Sequence, residues 1–317
     1  MHDNIKEFPL LPQGKAREEL QVESLSDFLA AIEDVRKDSA QEFDNKNGIP
    51  HLWFRGQDSI EQPDGSWKLI PKLQRFVSIG DERKYFETES AINNDFQSRA
   101  SVFFESKPDT SDFASWLTLM QHYGFPTRLL DWSRSPLYAL FFATADHTLD
   151  DRDACIWILN PGLLNGYAHL EDKPYLYHMG HKKVIEVLWP AFRVTDYSKD
   201  ENAEWRKYAD KIVACYALQK DPRVFNQQSV FTVHNSIKTL EDIHTEILQD
   251  AQYYGKHLLR RIVIPKDKKR RIFSQLYDSG ITHSVVFPDL EHVSKDVQRL
   301  YGIEKDLASK AKKFGNS

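Results

Sequence analysis

The stretch Trp116 to Phe142, WLTLMQHYGFPTRLLDWSRSPLYALFF, holds the densest run of unusual chemistry in the chain, and its reading decides the fold. Trp116, Leu119, Met120 and Tyr123 recur at helical spacing and so are expected to face a core, with Thr118, Gln121 and His122 off that stripe. Gly124 and Pro126 end this helix: glycine tolerates the left-handed backbone just past a helix end, and proline lacks the amide hydrogen needed to continue one. Thr127 to Leu130 then reads as a short buried strand and Asp131-Trp132-Ser133 as a turn. Ser135 and Pro136 follow as N-cap and first-turn residue of a second apolar helix. His122, Arg128 and Asp131 would thus stand at element ends, where side chains reach a cleft.

Upstream, Ser26 opens a helix whose buried stripe is Phe28, Leu29, Ile32 and Val35. His51 to Gln57 is dense in strand formers, and Gly56 marks either a bulge or a close approach of the backbone to something else. Arg55 beside it is either an anion or carboxamide grip or an ordinary ion pair orienting the strand. Trp67 to Leu73 reads as an extended edge segment broken by Pro71. A long helix is expected between about Asp81 and Glu105, with Glu89 and Arg99 bordering its apolar face, where an interhelical salt bridge is the simpler reading and a ligand contact the other.

Downstream, Ala154 to Asn160 is a strand ended by Pro161-Gly162, and residues 165–205 show no clear period. A short helix is expected from Trp205 and strands over Lys211–Leu218 and from about Gln228 to His234, with Gln227, Gln228 and His234 as further site candidates. Leu240, Ile243 and Ile247 mark a helix and Leu259 to Ile264 a strand. The next helix has the core face Ile272, Phe273, Leu276 and Tyr277 and is ended by Gly280. His283 to Phe287 reads as a last strand, and Leu290, Val293, Val297 and Leu300 as a closing helix. Strands and helices interleave irregularly, so the reading is α+β: one mixed domain over residues 22–303, with an N-terminal arm over 1–21 and a tail over 304–317.

At 317 residues the chain can bury a substantial core. A formal charge of -5 and a pI near 6.2 give no electrostatic case for nonspecific nucleic-acid binding. Cys155 and Cys215 lie in apolar runs, as small hydrophobic thiols do in a reducing compartment. No apolar run approaches a bilayer span and the N-terminus lacks the order of a signal peptide, so a soluble cytoplasmic protein with no membrane partner is expected. No metal is expected, since C-x-x-C, H-E-x-x-H and calcium-loop patterns are missing. Phosphate-cradling glycine loops and a G-x-S-x-G elbow are missing too. What remains is Arg, His, Gln and Asp near element ends, which suits gripping a polar, partly anionic small molecule.

Phe54-Arg55-Gly56-Gln57, then Trp67-x-Leu69-x-Pro71-x-Leu73, Glu89 to Arg99-Ala100, and His122-x-Gly124-x-Pro126-Thr127-Arg128-Leu129-Leu130-Asp131-Trp132 together resemble the FRG-domain family, named for its Phe-Arg-Gly motif. Gln228 with Phe231, and Phe287-Pro288-Asp289-Leu290, are similar to it as well. The resemblance spans about residues 25 to 300 and implies a largely bacterial setting, often at mobile-element, antiviral-defence or toxin-type loci. An aromatic-Arg-Gly at a strand end is also similar to the first motif of ADP-ribosyltransferases. That likeness implies a central, largely antiparallel split sheet flanked by helices, with NAD as substrate rather than resident cofactor. It implies a nucleotide-binding set of Phe54, Arg55, Gly56, Gln57, Arg128, Trp132 and Ser133, with Arg55, His122, Asp131 and Gln228 nearest the chemistry. Where those enzymes carry a glutamate this chain has Gln227 and Gln228, which leaves Glu89 and Glu291 as candidates for the carboxylate. The implied activity is cleavage or transfer of the ADP-ribose of NAD or a related nucleotide, with a protein or nucleic acid as possible target. The alternative is a nonenzymatic module that recognises a nucleotide signal, nucleic acid or phage protein.

Overall fold

A computed structural model describes residues 20–42, 51–60, 69–76, 82–100, 102–103, 108–146, 151–168, 176–182, 184–185, 211–218 and 222–303. In chain order the elements are β1 (Leu20–Gln21), α1 (Leu25–Glu42), β2 (Trp53–Gln57), α2 (Lys72–Phe76), α3 (Glu82–Ala100), α4 (Phe113–His122), β3 (Leu129–Ser133), α5 (Pro136–Thr144), β4 (Ala154–Leu159) and α6 (Pro161–Tyr167). They continue with β5 (Tyr177–His178), β6 (Ile212–Tyr216), α7 (Pro222–Asn226), β7 (Ser229–His234), α8 (Leu240–Gln249), β8 (Leu259–Ile264), α9 (Lys269–Asp278), α10 (His283–Val286) and α11 (Leu290–Leu300). Most of the expected arm, the whole tail and the helix expected from Trp205 lie outside the described residues. The last two arm residues, Leu20 and Gln21, are an edge strand rather than loose chain.

The strands form one eight-stranded sheet in the order β1-β8-β4-β2-β3-β7-β6-β5. The sheet is mixed rather than antiparallel: both edge pairings, β1 with β8 and β5 with β6, are parallel, and the inner ones are antiparallel. Nor are there two separate sheets. The expected break survives only as a narrowing, because β2 and β3 are joined by the single residue pair Phe54–Ser133, whereas β3 pairs with β7 along its whole length.

Successive strand side chains point to opposite faces, and this alternation sorts the core. On one face Phe54, Ile156, Ile158, Ile262 and Ile264 pack under α1, α5 and α9. Farther along that face Leu129, Val213, Cys215, Phe231 and Val233 pack with Phe113 and Leu117 of α4. The other face is aromatic: Trp53, Trp132 and Trp157 meet Leu163 and Leu164 of α6 and Leu240, Ile243 and Ile247 of α8. The thiols of Cys155 and Cys215 are free and buried, and burial pushes both upward.

Several local expectations fail for tertiary reasons. Asp131-Trp132-Ser133 is strand, not turn, because β7 supplies it a full ladder. His283 to Val286 is a short helix, not a strand. The Asp296 carboxylate, one helix later, accepts from the amides of His283 and Ser284 and so satisfies orphan donors at its start. Pro71 precedes a helix rather than breaking an edge strand, and the long helix α3 ends at Ala100. The core face of α4 is Phe113, Trp116, Leu117 and Met120, while Tyr123 is exposed. Leu290, Val293, Val297 and Leu300 do form a helix, yet all four stay exposed. Among the described residues no helix is long and apolar enough to cross a membrane.

Candidate functional site

The site grows from the narrowing between β2 and β3. Gly56 is there because α5 lies on the strand: a Cβ at this position would overlap the carbonyl oxygen of Ala139 and sit 2.8 Å from the amide nitrogen of Ala143. The close approach, not a bulge, explains the glycine. Next to it, where no ladder joins the two strands, the Nη1 of Arg55 donates to the backbone carbonyl of Asp131 at 2.8 Å, in place of a strand-to-strand bond. The Nε of Arg55 is buried and without a hydrogen-bond partner.

Asp131 sits on the face where α4 and α5 flank the sheet. Its Oδ2 accepts from the Nε2 of Gln121 at 2.6 Å, and the hydroxyl of Thr127 donates to the Oε1 of the same glutamine. Opposite stand α7 and the turn after it. Ser133 Oγ donates to the carbonyl of Gln227 at 2.7 Å and accepts from the amide of Ser135 at 3.0 Å, while Gln227 Nε2 donates to the carbonyl of Val286 at 3.1 Å. Arg223 of α7 lies over the Phe287 ring, 4.6 Å from its centroid. Between these walls is a cavity of about 270 Å³, bordered by Arg55, Gly56, Gln121, His122, Asp131, Ser133, Arg223 and Gln227, with Phe54, Phe142 and Phe231 as its apolar part.

Enclosure by protein pushes the Asp131 carboxyl above the usual carboxylate range, although the group remains reachable by solvent; Arg55, the Gln121 amide and Arg223 oppose that rise. Enclosure likewise lowers the Arg55 guanidinium from its ordinary value, and Asp131 counters it. The result is one carboxylate that feels the charge of two guanidiniums, all three residues bordering the cavity. It can face a cationic or electron-poor centre while the arginines take anionic or carbonyl oxygens.

Of the residues expected at the site, Phe54, Arg55, Gly56, His122, Asp131, Ser133 and Gln227 come together at the cavity. Arg128 does not. It is fully buried against Glu89, its Nε and Nη2 each 2.5 Å from Oε2 and its amide 3.1 Å from Oε1, and its Nη1 donates to Asn235 at 2.9 Å. The pairing also takes Glu89 away from any role as the missing carboxylate, and Glu291 pairs with Lys295 at 2.9 Å on α11, away from the cavity. Trp132 borders the cavity, but its indole belongs to the aromatic face and donates to Thr232 at 3.1 Å. Gln57 is buried on that face too and accepts from the Trp157 indole at 2.6 Å. Gln228 does not border the cavity. It holds a left-handed backbone (φ 48°) at the turn into β7, and its carbonyl accepts from the amide of Arg134 at 3.1 Å. His234, the last residue of β7, is fully buried, its Nε2 3.0 Å from the Thr232 hydroxyl. Arg223, which borders the cavity, carried no sequence signal, whereas Gln121 was visible as a polar residue off the apolar stripe of α4. Among the described residues no group of three or more His, Cys, Asp or Glu side chains could hold a metal ion.

The FRG-domain family model matches residues 50–152. Over those residues the chain carries an FRG domain. The matched segment runs from β2 to just before β4 and supplies Arg55, Gly56, Gln121, His122 and Asp131. The opposite wall of the cavity, with Arg223 and Gln227, is built by chain beyond the match. No curated protein and no solved structure matches the chain.

Proposed function

We propose that the cavity seats the nicotinamide-ribose end of NAD, or the like end of a related nucleotide, and that the FRG-domain protein cleaves the glycosidic bond there. The observation that carries this reading is the Asp131 carboxylate, which borders a small hollow together with Arg55 and Arg223 and feels the charge of both. A cavity of about 270 Å³ is small beside the ~300–1,000 Å³ of pockets that enclose a drug-sized ligand, so one ring and its sugar fit inside. The diphosphate then lies at the mouth beside Arg223 and His122.

In the reaction the bond between the sugar C1′ and the pyridinium nitrogen breaks, and its electron pair stays on the nitrogen to give neutral nicotinamide. Ionised Asp131 stabilises the oxocarbenium-like sugar. Water, or a nucleophilic group on a protein or nucleic-acid target, then adds to C1′ and releases a proton to solvent. Arg55 orients the carboxamide. In a defence or toxin setting inside a cell, loss of NAD would be the harmful output. Incubation of the purified protein with NAD should release nicotinamide, followed by chromatography. Asp131→Asn, folded by circular dichroism, should lower the rate by about 10²–10³-fold, the usual cost of one lost electrostatic contact to the transition state. No nicotinamide from the unaltered protein would overturn the cleavage.

One feature favours a second reading, recognition without chemistry: Asp131 is the only carboxylate among the described residues bordering the cavity, so no second acid or base stands beside it. On that reading calorimetry detects NAD binding with no product.

A further inference from the structure

The helix α4 and the strand β3 are tied by a short relay that ends on Asp131. Thr127 Oγ1 accepts from the amide of Leu129 at 3.2 Å, which leaves its proton for the Oε1 of Gln121. With that oxygen committed, the amide nitrogen must turn the other way, and it donates to Asp131 Oδ2 at 2.6 Å. Thr127 is fully buried and Gln121 half-buried, so the relay begins inside the core and ends at the cavity. The other carboxylate oxygen, Oδ1, makes no hydrogen bond to another side chain among the described residues.

A carboxylate enclosed by protein has two ways to lose its function: it takes up a proton, or it swings to a nearby cation. An oriented amide donor opposes both, because a hydrogen bond to the ionised form favours that form and fixes the rotamer. An amide turned over would do the reverse, presenting its oxygen to the carboxylate. The threonine hydroxyl decides which of the two occurs.

We propose that Gln121 and Thr127 are positioning residues for Asp131: the threonine sets the direction of the amide, and the amide holds one carboxylate oxygen so that the other is left for the ligand. The assignment rests on Asp131 as the reacting group, but its first test does not depend on NAD. Carboxyl carbon NMR follows the titration of Asp131 in the full chain. In Gln121→Leu the midpoint should rise by about one pH unit, the scale of a lost hydrogen bond to a charged group. Thr127→Val should raise it by less, and Thr127→Ser, which keeps the hydroxyl, should restore the unaltered midpoint. Should Gln121→Leu fail to fold, Gln121→Glu reads the same contact, since a second carboxylate beside Oδ2 also drives the midpoint up.

With NAD, the variants should lower kcat more than they raise KM, and the acid limb of the rate profile should move by the same amount as the NMR midpoint. Folded Gln121→Leu and Thr127→Val proteins that titrate like the unaltered chain would overturn the relay. Shifted midpoints without nicotinamide release from any form would overturn the cleavage and leave the relay standing.

Discussion

Arg55 and Arg128 come from the two motifs of the chain that look most alike in kind, an arginine beside a Gly or Pro-Thr at the edge of a strand, yet they end in opposite surroundings. Arg128 is sealed by Glu89 and Asn235. Arg55 holds one backbone carbonyl at the border of a cavity and keeps its Nε unpartnered. The contrast teaches that the string His122 to Trp132 is divided within itself. Its Thr-Arg part closes the interior between α3 and β3, and Asp131, three residues after Arg128, faces the hollow.

The contrast breaks most visibly at the sealed pair. Glu89→Gln should leave a buried guanidinium uncompensated and destabilise the protein by about 3–5 kcal/mol, measured by urea unfolding. If Glu89→Gln unfolds at the unaltered urea midpoint, the pair is not holding α3 to the sheet.

How far the sequence could carry this division is clear from the same residues. Periodicity foretold α1, α8 and α9, and the apolar runs foretold β4 and β8, because those signals are local; the start of α1 was misplaced, since Ser26 lies inside the helix and Ser24 Oγ accepts from the Asp27 amide at 3.2 Å. The partner of Arg128 was not local: Glu89 lies 39 residues earlier, and the sequence showed it only as a charge bordering the apolar face of α3, for an interhelical salt bridge or a ligand contact. Spacing also could not tell that residues 131–133 extend a strand, since the ladder that holds them comes from β7. Arg55, His122 and Asp131 were legible as a group near one cleft. Arg223 was not, because the Phe287 ring that it lies over comes from a distant part of the chain.

The Arg55 side of the comparison is sharpened by acid. Burial, with Arg55 adding to it, lowers the neighbouring His234 from 6.5 to about 3. A histidine depressed in the folded state binds its proton in the unfolded chain first, so its share of stability is present above pH 6.5 and is lost as the pH falls toward 3. Between pH 6.5 and 5 this amounts to about 2 kcal/mol. His244, lowered to about 4 mainly by burial, adds a loss of the same sign. Urea midpoints of His234→Gln across that range should show a shallower acid slope than those of the unaltered chain. An unchanged slope would mean that His234 is not held neutral.

The smallest effect is expected at a third arginine. Arg99 pairs with Asp95 one helical turn away, at 2.9 Å on an exposed face of α3. Arg99→Ala should leave the melting temperature unchanged within the scatter of a thermal unfolding experiment, since an exposed pair is screened by solvent. A loss as large as that of Glu89→Gln would show that exposure is a poor guide to which arginines of this chain matter.

The single pair Phe54–Ser133 has a mechanical meaning. The strands on one side of it, β1, β8, β4 and β2, and those on the other, β3, β7, β6 and β5, are each knit by longer ladders than the seam between them. A small molecule that grips Arg55 on one bank and Asp131 on the other acts as a rivet across that seam, so occupancy should raise the melting temperature whether or not any bond in the molecule is broken.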